Sequence, residues 1–210
     1  MEYRYELINY LGKKIQAKTY LEIGVKIGST FNKVNIKEKI GVDTNPRFDS
    51  NQVIKLTSDK FFEQYINKLN DKKIDIAFVD GLHTYQQSFQ DVENCLKILN
   101  PEGYVVLHDC NPIKKVHALP SLEEAQKDPN WDRKWNGDVW KTIIHLRSKR
   151  KDLKICVIDI DHGMGVIKKG SSDDVLNYKD KEIKNMKFEY LDENRDYLLN
   201  IKEFDYLEKF

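Results

Sequence analysis

Tyr20-Leu21-Glu22-Ile23-Gly24-Val25-Lys26-Ile27-Gly28-Ser29-Thr30 is the stretch on which the fold turns. A short apolar run leads into a glycine turn, and a helix-capping pair follows. Continuous apolar runs of this length suit strands buried on both faces. Gly24 lets a ligand approach the backbone, and Gly28 permits a tight entry to a helix. Ser29 and Thr30 are placed to cap that helix. Glu22 ends the strand, at the edge where open α/β sheets bind their ligands. Alone, such a turn is also found as a purely structural element.

Reading outward, the same rhythm repeats. Strand-like runs are predicted at Thr19–Ile23, Lys39–Val42, Gln52–Leu56, Ile74–Val79, Tyr104–Leu107, Leu153–Ile158 and Gly165–Ile167. Between them, Ser58–Leu69 places Phe61, Phe62, Tyr65, Ile66 and Leu69 at helical spacing, with Ser58 as its capping residue. Tyr85–Leu99 does the same with Phe89, Val92, Cys95, Leu96 and Leu99, and stops at Asn100-Pro101-Glu102-Gly103. A further helix, Tyr3–Lys14, precedes the first strand. Alternating β and α units predict a Rossmann-like, doubly wound, mostly parallel sheet of seven strands. The last two strands are joined by Asp159-Ile160-Asp161-His162-Gly163, too short for a helical crossover, so the last strand should be antiparallel. Residues 1–170 form the predicted catalytic-type domain, with 114–141 as a lid or substrate insertion. Residues 171–210 form a helical C-terminal extension.

Composition removes other classes. The chain has 210 residues, with 35 Lys+Arg against 34 Asp+Glu, a formal net charge of +1. That balance argues against a bulk nucleic-acid binder. No run reaches the roughly 18 apolar residues of a membrane span, and the opening residues lack the apolar core of a secretion signal. The cysteines, Cys95, Cys110 and Cys156, form no CxxC pair, which points to a reduced, cytoplasmic setting. The near-zero total hides contrast. Lys114–Lys151 holds 10 Lys+Arg and 5 Asp+Glu, and all three tryptophans, Trp131, Trp135 and Trp140. Ser171–Phe210 holds 7 Lys+Arg and 11 Asp+Glu and is rich in aromatics, so it should pack on its own sheet or on a second copy in a homo-oligomer.

Ile40-Gly41-Val42-Asp43 ends the second strand in an acid, 21 residues after Glu22. A carboxylate there can accept both ribose hydroxyls of a nucleoside; it can also simply cap the following turn. The first turn reads Glu-x-Gly-x-x-x-Gly, not the G-x-G-x-x-G of dinucleotide sites. An acid at the turn suits a cationic ligand, and S-adenosylmethionine fits. A nicotinamide-dependent oxidoreductase and a non-catalytic S-adenosylmethionine-binding module are the competing readings.

Leu21-Glu22-Ile23-Gly24…Gly28-Ser29-Thr30, Gly41-Val42-Asp43 and Ser58-Asp59-Lys60-Phe61-Phe62 together resemble class I S-adenosylmethionine-dependent methyltransferases. Asp80-Gly81-Leu82-His83-Thr84-Tyr85, then Asp91, then Gly103-Tyr104-Val105-Val106-Leu107-His108-Asp109 resemble a bacterial subgroup of small-molecule and sugar O-methyltransferases. One departure is Glu102-Gly103, where the subgroup has a glycine pair. The resemblance implies that Glu22, Gly24, Gly28, Ser29, Thr30, Asp43, Ser58, Asp59, Asp80 and Gly81 hold the methyl donor. It further implies that Asp80, His108 and Asp109 hold a divalent cation such as Mg²⁺, with His83 as general base. His83 could instead cap a helix, and His108 could be a supporting histidine. Tyr85, Trp135, Asp138, Trp140 and Lys141 are candidate substrate residues, Trp140 having a core position as its alternative. The basic, tryptophan-rich segment suits a phosphorylated or nucleotide-linked sugar as the small-molecule acceptor.

Overall fold

The computed structural model describes residues 3–172 and 174–210. Its eight strands are β1 (Thr19–Ile23), β2 (Glu38–Val42), β3 (Val53–Ile54), β4 (Ile74–Val79), β5 (Leu99–Leu107), β6 (Leu153–Ile158), β7 (Met164–Lys169) and β8 (Ile201–Lys202). They form one sheet in the order β3-β2-β1-β4-β5-β7-β6-β8. All pairings are parallel except those of β7, which runs antiparallel to both β5 and β6. The predicted hairpin is therefore present. The eighth strand was not expected, because it comes from the C-terminal extension and pairs with β6.

The helices are α1 (Arg4–Lys14), α2 (Ser58–Lys72), α3 (Tyr85–Ile98), α4 (Leu122–Lys127), α5 (Trp140–Lys149), α6 (Asp180–Asn185) and α7 (Phe188–Leu199). One apolar layer joins α2, α3 and α5 to one sheet face through Phe61, Val92, Cys95, Ile143 and Ile144. Leu176, Ile183, Leu191, Leu198 and Leu199 of the extension belong to that same layer. The other face is covered by Leu7, Ile8 and Leu11 of α1, with Val25, Phe31, Val34, Leu207 and Phe210. The leucines and isoleucine of the extension thus pack on its own sheet, while Tyr190, Tyr197 and Tyr206 stay exposed.

The helix expected after Gly28 does not form. Residues 27–34 make successive turns, with Gly28 N–H donating to Val25 C=O and Val34 N–H to Thr30 C=O. Gly28 sits at φ 74°, and Gly, Ser, Thr and Asn dominate the segment, all poor helix formers. Ser29 and Thr30 therefore cap nothing. Likewise Thr57, not Ser58, caps α2, accepting from Lys60 N–H at 3.3 Å.

Candidate functional site

The chain winds from β1 outward to β2 and β3, then returns to β4 and β5 on the other side of β1. That reversal opens a crevice at the carboxyl ends of β1 and β4. A cleft of about 870 Å³ lies there, the size of a small-molecule or cofactor site. Glu22, Gly24, Ser29, Thr30, Asp43, Ser58, Asp59, Asp80, Gly81, His83, His108, Asp109 and Trp135 all line it. Of the predicted donor residues only Gly28 does not, since its role is to turn the chain.

The β1 end carries the glycine constraint. Gly24 adopts φ 89°, and a Cβ there would fall 2.0 Å from the Asp80 carbonyl oxygen. The glycine is thus required by the approach of the β4 loop as well as by any ligand. Glu22 is 1% exposed and accepts a hydrogen bond from the Tyr20 hydroxyl at 2.6 Å. Burial, reinforced by Asp80, pushes its pKa up to about 8. Both Asp43 oxygens are engaged by loop N–H groups, from Lys26 at 2.7 Å and Asn45 at 2.7 Å. The turn-capping role and the cleft-lining role coexist, because each carboxylate oxygen keeps a lone pair for a hydroxyl. Across the cleft, Gln87 Nε2 donates to Ser58 Oγ at 3.2 Å, to Asp59 Oδ1 at 3.1 Å and to Asp91 Oδ1 at 3.1 Å. Gln87 thereby ties α2 to α3 along the cleft. Its sequence position on α3 gave no signal of this.

The ends of β4 and β5 bring together the second constellation. Asp80, His83 and Asp109 each offer a ligand atom within 4.8 Å of the others. His83 Nε2 is 3.4 Å from Asp80 Oδ1, and its Nδ1 is 3.1 Å from Asp109 Oδ2. His108 Nδ1 lies 3.2 Å from Asp80 Oδ1 and 3.0 Å from Asp109 Oδ2. These His108 contacts are off the ideal hydrogen-bond direction, so both buried ring nitrogens lack an aligned protein partner. Asp109 holds a left-handed φ of 62°, a strained conformation typical of functional positions. Burial disfavours the His83 imidazolium, but Asp80 and Asp109 outweigh it and raise its pKa. Burial likewise disfavours the Asp80 carboxylate, and the charges of His108 and His83 overcome that and hold its pKa far down. Two carboxylates beside His108, a buried histidine left without aligned partners, fit a divalent cation.

Three residues of this cluster had no motif. Arg4 from α1 and His162 from the β6–β7 turn line the same cleft, and Asp161 of that turn backs them through Arg4 and His108. Asp161, His162 and Gly163 run through φ 43°, 69° and 88° in succession, which curls the turn inward over His108.

The lid residues divide. Trp135 lines the cleft, its ring stacked on His83 at 5.1 Å and 18°, with its indole N–H donating to Leu119 C=O at 2.6 Å. Gly137, at φ 65°, would place a Cβ 1.7 Å from the His83 carbonyl oxygen, so the lid lies directly on the His83 backbone. The other four substrate candidates lie away from the cleft wall. Trp140 is 1% exposed and packs in the core. Asp138 accepts from Tyr85 N–H at 2.7 Å and so caps α3. Lys141 turns to Asp138, Lys184 C=O and the Trp140 ring. The Tyr85 hydroxyl meets His145 Nδ1. None of the four lines the cleft.

Most of the basic excess of Lys114–Lys151 is neutralised locally. Lys114, Lys115, Lys127, Lys141, Arg147, Lys149 and Arg150 each pair with a carboxylate. Three of those partners, Glu189, Asp174 and Asp180, come from the acidic extension. Arg133 and Lys134 have no ion pair among the described residues, and both line the cleft. Arg133 is held at φ 68°.

Residues 21–110 match a family model described as a methyltransferase domain. The chain as a whole shares its fold with solved O-methyltransferases. It resembles a protein described as a caffeoyl-CoA O-methyltransferase from Staphylococcus aureus (20% identity, TM-score 0.57, 79% of this chain and 82% of that one). The Streptomyces achromogenes O-methyltransferase TomG, solved with S-adenosylmethionine, is similar at 15% identity and TM-score 0.53, with 80% of each chain covered. The S-adenosylhomocysteine-bound methyltransferase PaMTH1 of Podospora anserina matches at 16% identity and TM-score 0.53, over 81% of this chain and 80% of that one. At these identities the likeness establishes a shared fold. No curated protein sequence matches the chain. No helix among the described residues is long and apolar enough to cross a membrane.

Proposed function

We propose that the protein transfers a methyl group from S-adenosylmethionine to a hydroxyl of a small anionic, sugar-like acceptor, with help from a divalent cation. The observation that carries this reading is the convergence of Asp80, His83 and Asp109 at the crevice that Glu22 and Asp43 also line. Asp43 accepts from the donor's ribose hydroxyls. Glu22, kept protonated by burial in the free protein, faces the donor's ammonium group, whose charge favours its ionised form. Ser58 and Asp59, fixed by Gln87, stand at the adenine end.

Methyl transfer is an in-line displacement, so the chief requirement is positioning. Asp80 and Asp109 supply hard oxygen ligands, and His108, buried beside both, supports them. The cation, when bound, acidifies the acceptor hydroxyl. His83 has a side chain 25% exposed against 4% for His108, and the more open imidazole takes the hydroxyl proton. Trp135 stacks behind His83 and holds its ring. Arg133 and Lys134, unpaired on the lid, attract a phosphate or carboxylate of the acceptor. A surface-glycan or natural-product pathway supplies acceptors of that kind. The three cysteines are free and buried, in keeping with a reducing cytoplasm.

The test is release of S-adenosylhomocysteine with a panel of sugar phosphates and nucleotide sugars, with and without EDTA. Turnover that EDTA abolishes and Mg²⁺ restores is expected. Undiminished turnover in EDTA overturns the cation role. Asp109→Ala should lose Mn²⁺ binding in calorimetry. His83→Ala should keep Mn²⁺ binding and lose about 10²-fold or more in kcat; loss of Mn²⁺ in His83→Ala would make His83 a ligand instead. Arg133→Glu with Lys134→Glu should raise KM for an anionic acceptor and leave that of a neutral analogue unchanged.

A further inference from the structure

Arg4 lies outside every motif that the family match covers. It is the first residue of α1, 76 positions from Asp80 and 157 from Asp161. Its guanidinium donates from Nη1 to Asp80 Oδ2 at 2.6 Å, from Nε to Asp161 Oδ2 at 2.7 Å and from Nη2 to Asp161 Oδ1 at 3.2 Å. The Arg4 backbone N–H donates to the same Asp161 at 3.2 Å. One carboxylate therefore holds both the start of the helix and its first side chain. Leu7, Ile8 and Leu11 of α1 are fully buried, so Arg4 cannot drift without unpacking the helix.

These contacts close a ring. Asp161 Oδ1 lies 3.7 Å from His108 Nε2, and His108 Nδ1 lies 3.2 Å from Asp80 Oδ1. Asp80 thus spends Oδ2 on the guanidinium and turns Oδ1 toward His83 and His108. A guanidinium is planar, permanently charged and rigid in its donor geometry, so it sets the plane of the carboxylate as well as its charge. It leaves Asp80 Oδ1 and both oxygens of Asp109 free of the guanidinium, which touches only Asp80 Oδ2 and Asp161.

We propose that Arg4, held by Asp161, is a positioning residue of the candidate metal centre, fixing Asp80 so that a single oxygen faces the cation. This rests on the metal-assisted reading above. Partners that orient metal ligands typically change metal affinity by about 10–100-fold when removed.

Calorimetric titration of the full chain with Mn²⁺ tests it, with circular dichroism melts run on each variant. Arg4→Gln and Asp161→Asn should each weaken Mn²⁺ binding by about 10-fold or more. Arg4→Lys should recover part of the loss, because an ammonium keeps the charge but cannot span both carboxylates. Lys14→Gln serves as the control for helix docking. Its ammonium meets the Leu207 carbonyl at the far end of α1, and the variant should bind Mn²⁺ as the parent does. If Arg4→Gln fails to fold, Arg4→Lys and Asp161→Asn decide the matter. Parent-like Mn²⁺ affinity in those variants overturns the positioning role and leaves the metal reading standing. A parent chain that binds no Mn²⁺ overturns both.

Discussion

At the residue scale the site is a set of groups whose environments have been pushed apart. Glu22 and Asp80 are both carboxylic acids at strand ends, yet one is held largely protonated and the other ionised. Glu22 keeps its proton in the fold up to about pH 8, chiefly through burial, whereas an unfolded glutamate releases it near about pH 4.3. Between those values the unfolded chain binds fewer protons, so stability is greatest below the unfolded pKa and is lost as pH rises through the folded one. One group gives a slope of at most about 1.4 kcal/mol per pH unit. Glu22→Gln can still accept from the Tyr20 hydroxyl, and it should remove this slope. Urea denaturation at pH 5 to 8 should show the variant gaining on the parent as pH rises, and a constant gap would refute the assignment. Gly137→Ala is the steric counterpart. With its Cβ 1.7 Å from the His83 carbonyl and φ at 65°, it should cost about 2 kcal/mol or more and lower kcat by displacing Trp135 from His83. A melt and turnover assay check both. Of these residues, Glu22, Asp80, His83, His108 and Asp109 stand out in the sequence because each sits in a local motif at or just beyond the end of a predicted strand. Arg4, Asp161 and His162 were not, because their partners lie up to 157 positions away and nothing local marks them.

At the element scale, strands were easier to read than turns. The buried apolar runs of β1, β4, β5, β6 and β7 announce themselves, since parallel strands covered on both faces tolerate little else. The segment after Gly28 misled because capping residues and a glycine turn look alike whether or not a helix follows. The lid misled differently. Aromatics interleaved with polar groups suggested a binding wall throughout 131–140, yet the wall ends at Trp135 and the core begins with Trp140. Asp138 sits between them as the cap of α3, whose own N-terminal Thr84 makes no side-chain cap. Asp138→Ala should therefore cost about 1 kcal/mol, while Asp138→Asn, which can still accept from Tyr85 N–H, should cost less. A thermal melt of the two variants separates a cap from a substrate contact, because a substrate role would raise KM without moving the melt.

At the scale of the whole molecule, the opposed charges of the lid segment and the C-terminal extension meet within one chain. Lys115–Glu189, Lys149–Asp180 and Arg147–Asp174 join the two. The first two are exposed and contribute little on their own. Arg147 is different: it is buried, and it also donates to the carbonyls of Tyr197 and Leu198. The sequence suggested a domain ending near residue 170 with an appendage, because the family motifs stop there. The extension packs on that domain through Leu176, Ile183, Leu191, Leu198 and Leu199 in the shared core and through β8 on the edge of β6. A chain cut after residue 170 should accordingly fail as a soluble fold. It would bare the apolar face of α5 and β6 and leave the buried Arg147 guanidinium without Asp174 and the Tyr197 and Leu198 carbonyls. Arg147→Met in the full chain gives the finer measurement. An apolar side chain of similar length removes the charge together with its need for partners, so it should destabilise less than Asp174→Ala, which leaves the guanidinium without its carboxylate. If the 1–170 chain were instead monomeric, cooperative in its melt and able to bind S-adenosylmethionine, the extension would be an appendage after all, and its aromatic residues would be free to serve another surface.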